Sequence, residues 1–194
     1  MISNSTLFSL ALALFTATAH AEIRTFSFTG TVTESLPMAP AGTRVFGTFS
    51  YDTSSVPYMQ SGEPAGPGYG DASYLAQGNI RLTVNGHTAT AGVTTVYVVN
   101  NGGGNVEDAI SVSGELLTLD GTFFGEGTFG FYLGSGPGNQ GVLSSTRLPQ
   151  TIPARRFDGM NYGWVNVNGG PNGTVLSFAI DRVVPNDGGQ YQSE

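Results

Sequence analysis

Cysteine and lysine are both missing from this chain of 194 residues, and charged residues of every kind are scarce. Without cysteine the chain has no disulfide, no thiolate metal ligand and no thiol nucleophile. Its seven positive charges are all arginines, set against fourteen carboxylates, so the formal net charge is −7. Such an acidic chain repels phosphate backbones, and we therefore expect no nucleic acid among its partners.

Long hydrophobic runs are also missing, except for residues 7–17 (LFSLALALFTA). That run is too short to cross a bilayer as a helix, and Ala19-His20-Ala21 follows it. This layout is typical of a secretory signal peptide and predicts cleavage after Ala21. We therefore expect residues 1–21 to be removed, and the mature chain to be secreted, periplasmic or extracellular, with no transmembrane segment. A cysteine-free exported domain of this size is more typical of bacteria.

The mature chain shows no helical period and is rich in glycine. Alternation of apolar and polar residues predicts strands instead, and Asn85-Gly86 predicts a hairpin with a type I′ turn. About ten strands over residues 22–185 indicate one all-β domain. The expected architecture is an antiparallel β-sandwich, jelly-roll-like, or alternatively a closed soluble β-barrel. Residues 52–77 are expected to form a long surface loop and residues 186–194 a disordered tail.

Five short motifs run through the mature chain in a fixed order. They are FSFTGTV at residues 26–32, GTFSYDTS at 47–54, LTVNG at 82–86, LSSTRLP at 143–149 and IDRVVP at 180–185. In this layout the chain resembles the body of PEP-CTERM-type exported proteins of Gram-negative bacteria, a group of unknown function.

The resemblance implies a β-sandwich that acts outside the inner membrane, and it brings no catalytic residues with it. Members of that group carry a Pro-Glu-Pro motif, a hydrophobic helix and a basic tail after the last strand. Here the last strand motif is followed only by NDGGQYQSE. Processing by an exosortase and anchoring at the cell surface are therefore not carried over from the group to this chain.

Catalytic motifs are sparse. The mature chain has a single histidine, His87, just after the predicted hairpin turn, and it lacks a G-x-S-x-G nucleophile motif. A zinc site of histidine type needs more than one histidine. Pairs of carboxylates could support glycoside hydrolysis, but no spacing in the chain selects a pair. We therefore expect a protein that is not an enzyme, with no obligatory cofactor.

Calcium is the one metal that the composition could serve. Ca²⁺ takes six to eight oxygen ligands from carboxylates, amides and carbonyls, and oxygen-bearing side chains cluster in two predicted loops. The candidate ligands are Asp52, Asp71, Asn105, Glu107 and Asp108. The alternative is that these residues only cap turns by local hydrogen bonds.

Aromatic side chains beside amides could form a platform for sugars, and paired arginines could bind a carboxylate. The alternative is that Trp164 packs in the core and the tyrosines pin the predicted loop down. The candidate ligand-binding residues are Trp164, Tyr162, Tyr58, Tyr69, Tyr74, Arg155 and Arg156.

Three functions remain open. The first is a non-enzymatic exported protein that binds an extracellular or matrix component, with polysaccharide as the favoured ligand. The second is a structural subunit of a matrix or filament that self-associates through unpaired edge strands. The third is a secreted hydrolase that uses carboxylates.

Overall fold

The computed structural model describes most of the mature chain. The described residues are 22–62, 69–101, 108–153, 156–168 and 173–186. The predicted signal peptide, the tail beyond residue 186, and the candidates Arg155, Asn105 and Glu107 lie outside these ranges. Within the described ranges there is no helix with the length and apolarity that a membrane crossing requires.

Eleven antiparallel strands make up the structure. They are β1 (Ile23–Val32), β2 (Arg44–Asp52), β3 (Pro57–Gly62), β4 (Gly70–Tyr74), β5 (Asn79–Val84), β6 (His87–Asn100), β7 (Ala109–Leu119), β8 (Thr122–Phe124), β9 (Thr128–Gly134), β10 (Asn161–Asn166) and β11 (Thr174–Pro185).

Eight of these strands close into a barrel. Around the ring the order is β6, β5, β2, β1, β11, β10, β9 and β7, and the pairing of β7 with β6 completes it. Two short additions stand outside the ring: the ribbon of β3 and β4 extends one edge of β6, and β8 pairs with the far part of β7. The structure confirms the all-β class. Of the two expected architectures it forms the closed barrel, because one continuous sheet closes on itself.

The turn predicted at Asn85-Gly86 is confirmed. Both residues have positive φ, at 48° and 83°, as a type I′ turn requires, and they connect β5 to β6. Asp120 and Gly121 repeat this conformation between β7 and β8, with φ of 50° and 83°. These local signals are strong because few residues adopt the left-handed region without strain.

The expectation of one long loop over residues 52–77 is wrong, since β3 and β4 lie within it. Every residue of β3 after Pro57 is exposed, so this strand has no alternation of buried and exposed side chains for a sequence pattern to reveal. The strands β6 and β7 are long, with 14 and 11 residues. Bulges interrupt the register between these two, next to Gly92 and Val93.

Aromatic rings fill the barrel interior. Phe49 is at the centre, stacked on Phe26 with ring centroids 5.0 Å apart and tilted against Phe131 at 4.5 Å. Phe28 of β1 stacks on Phe178 of the neighbouring strand β11, with ring centroids 5.9 Å apart. All five rings are buried. Burial of apolar surface on this scale is the main stabilising contribution to such a fold.

The connection between β9 and β10, described over residues 135–153 and 156–160, packs against the barrel core, and we call these described residues the cap. The hydroxyl of Tyr51 donates to the carbonyl of Pro149, and that of Tyr74 to the carbonyl of Thr146, each at 2.7 Å. Below the cap, the fully buried Asp108 accepts hydrogen bonds from the backbone N–H groups of Asn101 and Leu143. The described part of residues 147–157 contains no strand, as the two prolines in it predict.

Candidate functional site

The outer wall of β9 and β10 carries a continuous row of aromatic rings. Alternation along these strands points Phe129, Phe131 and Val165 inward and leaves the intervening residues outside. Tyr132 and Tyr162 are directly opposite in register, with ring centroids 5.7 Å apart. Trp164 follows at 5.8 Å from Tyr162. Tyr162 has 44% of its surface exposed, so the row faces solvent.

Two glycines on the outer face make room for these rings. A Cβ atom on Gly130 would lie 2.7 Å from Cζ2 of Trp164, so the indole ring lies flat over this glycine. A Cβ on Gly134 would lie 2.7 Å from Cε1 of Tyr132. The rings therefore lean onto bare backbone instead of standing out from the sheet, and this orders them before any ligand arrives.

A fourth ring extends the row across β7 to β6. Tyr97 pairs in register with Ser111, which in turn pairs with Tyr132. The small serine between the two tyrosines leaves a shallow gap with a hydroxyl at its base. We call Tyr97, Tyr132, Tyr162 and Trp164 the aromatic strip.

A carboxylate lies at the β4 end of the strip. The hydroxyls of Tyr97 and Ser61 both donate to Asp71, the former at 3.2 Å. Asp71 is therefore held by side chains from β3 and β6. Tyr69 precedes Asp71 by two residues in the chain and is 54% exposed. This end of the strip combines ring faces with hydrogen-bonding oxygens, which a hydroxylated ligand requires.

Two tyrosine hydroxyls of the strip, those of Tyr97 and Tyr132, remain protonated at neutral pH. Burial raises the pKa of Tyr97, and the charge of Asp71 and its hydrogen bond to this tyrosine raise it further. Burial also raises the pKa of Tyr132, with a further contribution from Tyr162. Each hydroxyl can therefore both donate and accept a hydrogen bond.

The predicted tyrosines of the 52–77 segment have separate positions. Tyr74 points into the barrel and is buried under the cap, and burial raises its pKa while the charge of Arg147 lowers it. Its place is in the packing beneath the cap. Tyr58 is exposed on β3, at the edge of the sheet. Of the three, Tyr69 alone lies at the strip.

The described calcium candidates lie apart. Asp52 caps the turn after β2: Oδ1 accepts from the backbone N–H and the hydroxyl of Ser54, and these bonds lower its pKa. Asp71 lies beside Tyr97 at the end of the strip, and Asp108 is buried below the cap. Among the described residues no three acidic or histidine side chains form a group that could hold a metal.

His87 begins β6, where its Nδ1 lies 2.6 Å from Oδ2 of Asp120. The other oxygen of Asp120 accepts from the backbone N–H of Thr88 at 2.7 Å. The hydrogen bond from His87, followed by the one from Thr88, lowers the pKa of Asp120. This exposed pair fastens the β7–β8 turn to the start of β6.

Three hollows mark the surface. A groove of about 470 Å³ is lined by residues of β1, β2 and β5, with the exposed Phe46 among them. A second hollow, of about 510 Å³, lies in the cap, and Arg156 lines it. A third, of about 370 Å³, lies between the cap and the connection from β2 to β3, and Tyr74 lines it. No Asp or Glu lines any of these three hollows.

Sequence reasoning found Trp164, Tyr162 and Tyr69 but missed Tyr97 and Tyr132. Each of the two missed tyrosines lies inside an alternating strand, in the runs TTVYVV and GTFGFYL. Each occupies the parity opposite to the buried residues, and this outward parity was the available signal. Comparison with protein-family models, curated proteins and solved structures gives no match.

Proposed function

We propose that this chain is an exported, non-enzymatic protein that binds a polysaccharide of the extracellular matrix along the aromatic strip. The observation that carries the proposal is the row of neighbouring rings of Tyr132, Tyr162 and Trp164 on the outer wall. Aromatic side chains with a polar tip combine an apolar face with a hydrogen-bonding group. A sugar ring has the same two features, with C–H faces and hydroxyl edges.

The polar groups around the rings support a hydroxylated ligand over a purely apolar one. Ser111 lies between Tyr97 and Tyr132, Asp71 lies beside Tyr97, and Ser177 is opposite Trp164 in register. An open, flat surface on a barrel wall suits an extended chain, whereas a small molecule is usually enclosed in a concave pocket. Export is supported by the predicted signal peptide at residues 1–21.

The single tryptophan makes a direct test possible. Trp164 is the chain's only Trp, so its fluorescence reports on the strip alone. Titration of the mature protein with neutral and uronic-acid polysaccharides should change the emission of Trp164 in a saturable way. Affinity gel electrophoresis should show the same ligand retarding the wild type, with Tyr162→Ala weakening retardation at least about tenfold, or about 1.4 kcal/mol.

Phe123→Ala is the matched control, because Phe123 is also an exposed ring and lies on β8, outside the strip. It should bind like the wild type. A wild type that binds no polysaccharide in the panel, or a Tyr162→Ala variant that binds as well as the wild type, would contradict the proposal.

Self-association is the second candidate, and β3 favours it. Barrel closure pairs both sides of the eight ring strands, whereas β3 is the end strand of its ribbon and has one unpaired edge. Tyr58 and Met59 are exposed on it, and such an edge can accept a strand from a neighbour. If this candidate holds, size-exclusion chromatography with light scattering will give an oligomer for the wild type and a monomer for Met59→Lys. A monomeric wild type would exclude it.

The hydrolase has no support from the three hollows, because no carboxylate lines any of them. A glycosidase of the usual kind needs two carboxyl groups facing a common space. The proposal therefore assigns binding, and not cleavage, to this protein.

A further inference from the structure

The cap contains a second feature that the aromatic strip does not use. Its larger cavity, of about 510 Å³, is lined by residues between Val142 and Pro153 and by Arg156, and the smaller one, of about 370 Å³, lies beside it. Arg147, Leu148 and Gln150 line both. The larger cavity has the volume that small-molecule sites usually have.

The charge of this region is opposite to that of the chain. In a protein with fourteen carboxylates and seven arginines, the two cavities include Arg147 and Arg156 in their walls and no acid. Arg156 is partly engaged, since Nη2 donates to the carbonyl of Gly141 at 2.9 Å. The guanidinium of Arg147 forms no ion pair with any acid in the described ranges.

Carboxylates near the cap have hydrogen-bond partners of their own. Asp108 is buried behind Leu143, where its two oxygens accept backbone N–H groups of Asn101 and Leu143. Asp158 accepts from the backbone of Gly136 and from Asn139. These acids stay within the framework of the cap and leave the guanidinium of Arg147 available.

One further carboxylate reaches the rim. Glu22 is paired with Arg24 and accepts a long hydrogen bond, 3.4 Å, from the side-chain amide of Gln150. It is separated from the cavities by Gln150. The positive charge of Arg147 acts on the neighbouring Tyr74, whose pKa it lowers against the effect of burial.

Hydroxyl and amide groups complete the larger cavity. Ser144, Ser145, Gln150 and Thr151 line it beside the two arginines. We propose that this cavity binds a hydroxylated carboxylate of monosaccharide size, a hexuronate, with Arg147 and Arg156 on the carboxylate and the neutral side chains on its hydroxyls. Guanidinium groups bind carboxylates with two parallel hydrogen bonds, and this geometry distinguishes them from ammonium groups.

This proposal does not rest on the aromatic strip. The cavity is built by the cap, whereas the strip is built by β6, β9 and β10. Either one can fail in its test without affecting the other, and the two sets of variants share no residue.

Isothermal titration calorimetry of the mature protein with D-galacturonate tests the proposal. We expect saturable binding of galacturonate and none of D-galactose, which differs by the carboxylate alone. Arg147→Gln and Arg156→Gln should each weaken binding at least about tenfold, or about 1.4 kcal/mol. Arg147→Lys keeps the positive charge but lacks the planar guanidinium group. Its affinity for galacturonate should therefore lie between those of Arg147→Gln and the wild type.

Arg182→Gln is the matched control, because Arg182 is exposed on β11, away from the cap, and it should bind like the wild type. Circular dichroism will show whether each variant is folded, and Arg147→Gln is safe in this respect because its guanidinium forms no ion pair in the described protein. Absence of galacturonate binding, equal binding of galactose, or equally tight binding of inorganic phosphate would each overturn the hexuronate assignment.

Discussion

The two faces of the β9–β10 wall carry the same class of side chain and have opposite relations to water. Inside, Phe131 packs against Phe28 and Phe49 in the barrel core. Outside, its chain neighbour Tyr132 contacts Tyr162 at the surface, with the two rings tilted by 31°. The backbone alternation of a strand is enough to place them on opposite sides. One wall therefore contributes both to the stability of the core and to the candidate binding surface.

Glycines make room for aromatic rings on both faces of this wall. On the inner face, a Cβ on Gly163 would overlap the ring of Phe178. On the outer face, Gly134 lies under the ring of Tyr132. In each case the missing side chain lets a ring lie against the backbone. The difference is that the inner ring is enclosed on every side, whereas the outer ring can swing into water.

Truncation of the inner ring should give the largest effect. Phe131→Ala removes a buried ring in contact with two others, and a loss of about 3 to 5 kcal/mol of unfolding free energy is expected. Tyr132→Ala, one residue along, should cost about 1 kcal/mol because its ring is at the surface. Urea unfolding followed by circular dichroism measures both. Equal losses in the two variants would contradict the assignment of inner and outer faces.

Adding a methyl group at the glycines sharpens the same comparison. Gly163→Ala forces its Cβ into the enclosed ring of Phe178, and such overpacking costs about 1 to 3 kcal/mol. Gly134→Ala should cost less, because the ring of Tyr132 can move outward. Thermal unfolding of the two variants measures the difference. A Gly134→Ala variant less stable than Gly163→Ala would show that the outer ring is as confined as the inner one.

The individual strands of the barrel were largely predictable from the sequence, whereas their closure into a barrel was not. Alternation at Phe26 and Phe28 and the Asn85-Gly86 turn are local signals, and both predicted what the structure contains. Closure depends on the pairing of β6 with β7 and of β1 with β11. The partners in the second pair are about 150 residues apart in the chain, and no local pattern encodes such a contact.

The strip was predictable only in part, for the same reason. Tyr162 and Trp164 lie two residues apart on one strand, so their common face follows from the period of a strand. Tyr132 joins them through the register of β9 against β10, which is set by the whole barrel. The sequence alone did not assign Trp164 to the core or to the surface. Glycines occur on both faces of this wall, with Gly163 on the inner face and Gly130 on the outer face, and on either face a glycine makes room for a large ring.

Removal of the central ring of the strip should have a modest effect on stability and a clear spectroscopic one. Tyr162→Ala breaks two ring pairs, each worth about 0.5 to 1.5 kcal/mol when fully packed and less at a surface. It also uncovers one side of Trp164. The emission of Trp164 should shift to the red, and acrylamide should quench it more strongly than in the wild type. Unchanged quenching would mean that Tyr162 does not cover the indole.

The smallest effect is expected from the exposed, hydrogen-bonded pair of His87 and Asp120 on the outer surface. The hydrogen bond from His87, followed by that from the backbone of Thr88, lowers the pKa of Asp120 below its ordinary value of 3.8. A carboxylate whose pKa is lower in the folded than in the unfolded state contributes stability above the unfolded pKa. That contribution is lost as the pH falls through the folded pKa. Asp120→Asn should therefore lower the thermal midpoint slightly at pH 6 and by less at about pH 2, because the wild-type carboxylate loses its charge as the pH falls through its folded pKa.

Glu115→Gln is the matched control, since Glu115 is an exposed acid that forms no ion pair within the described ranges. The change in thermal midpoint between pH 6 and about pH 2 should be the same in Glu115→Gln as in the wild type. Salt at about 1 M should shrink the effect of Asp120→Asn, because it screens exposed charges, and should leave the loss in Phe131→Ala in place. The response to salt would then distinguish the loss of packing inside the barrel from the loss of an electrostatic interaction on its surface. An Asp120→Asn effect that is as large at pH 2 as at pH 6 would contradict a role for the ionised carboxylate.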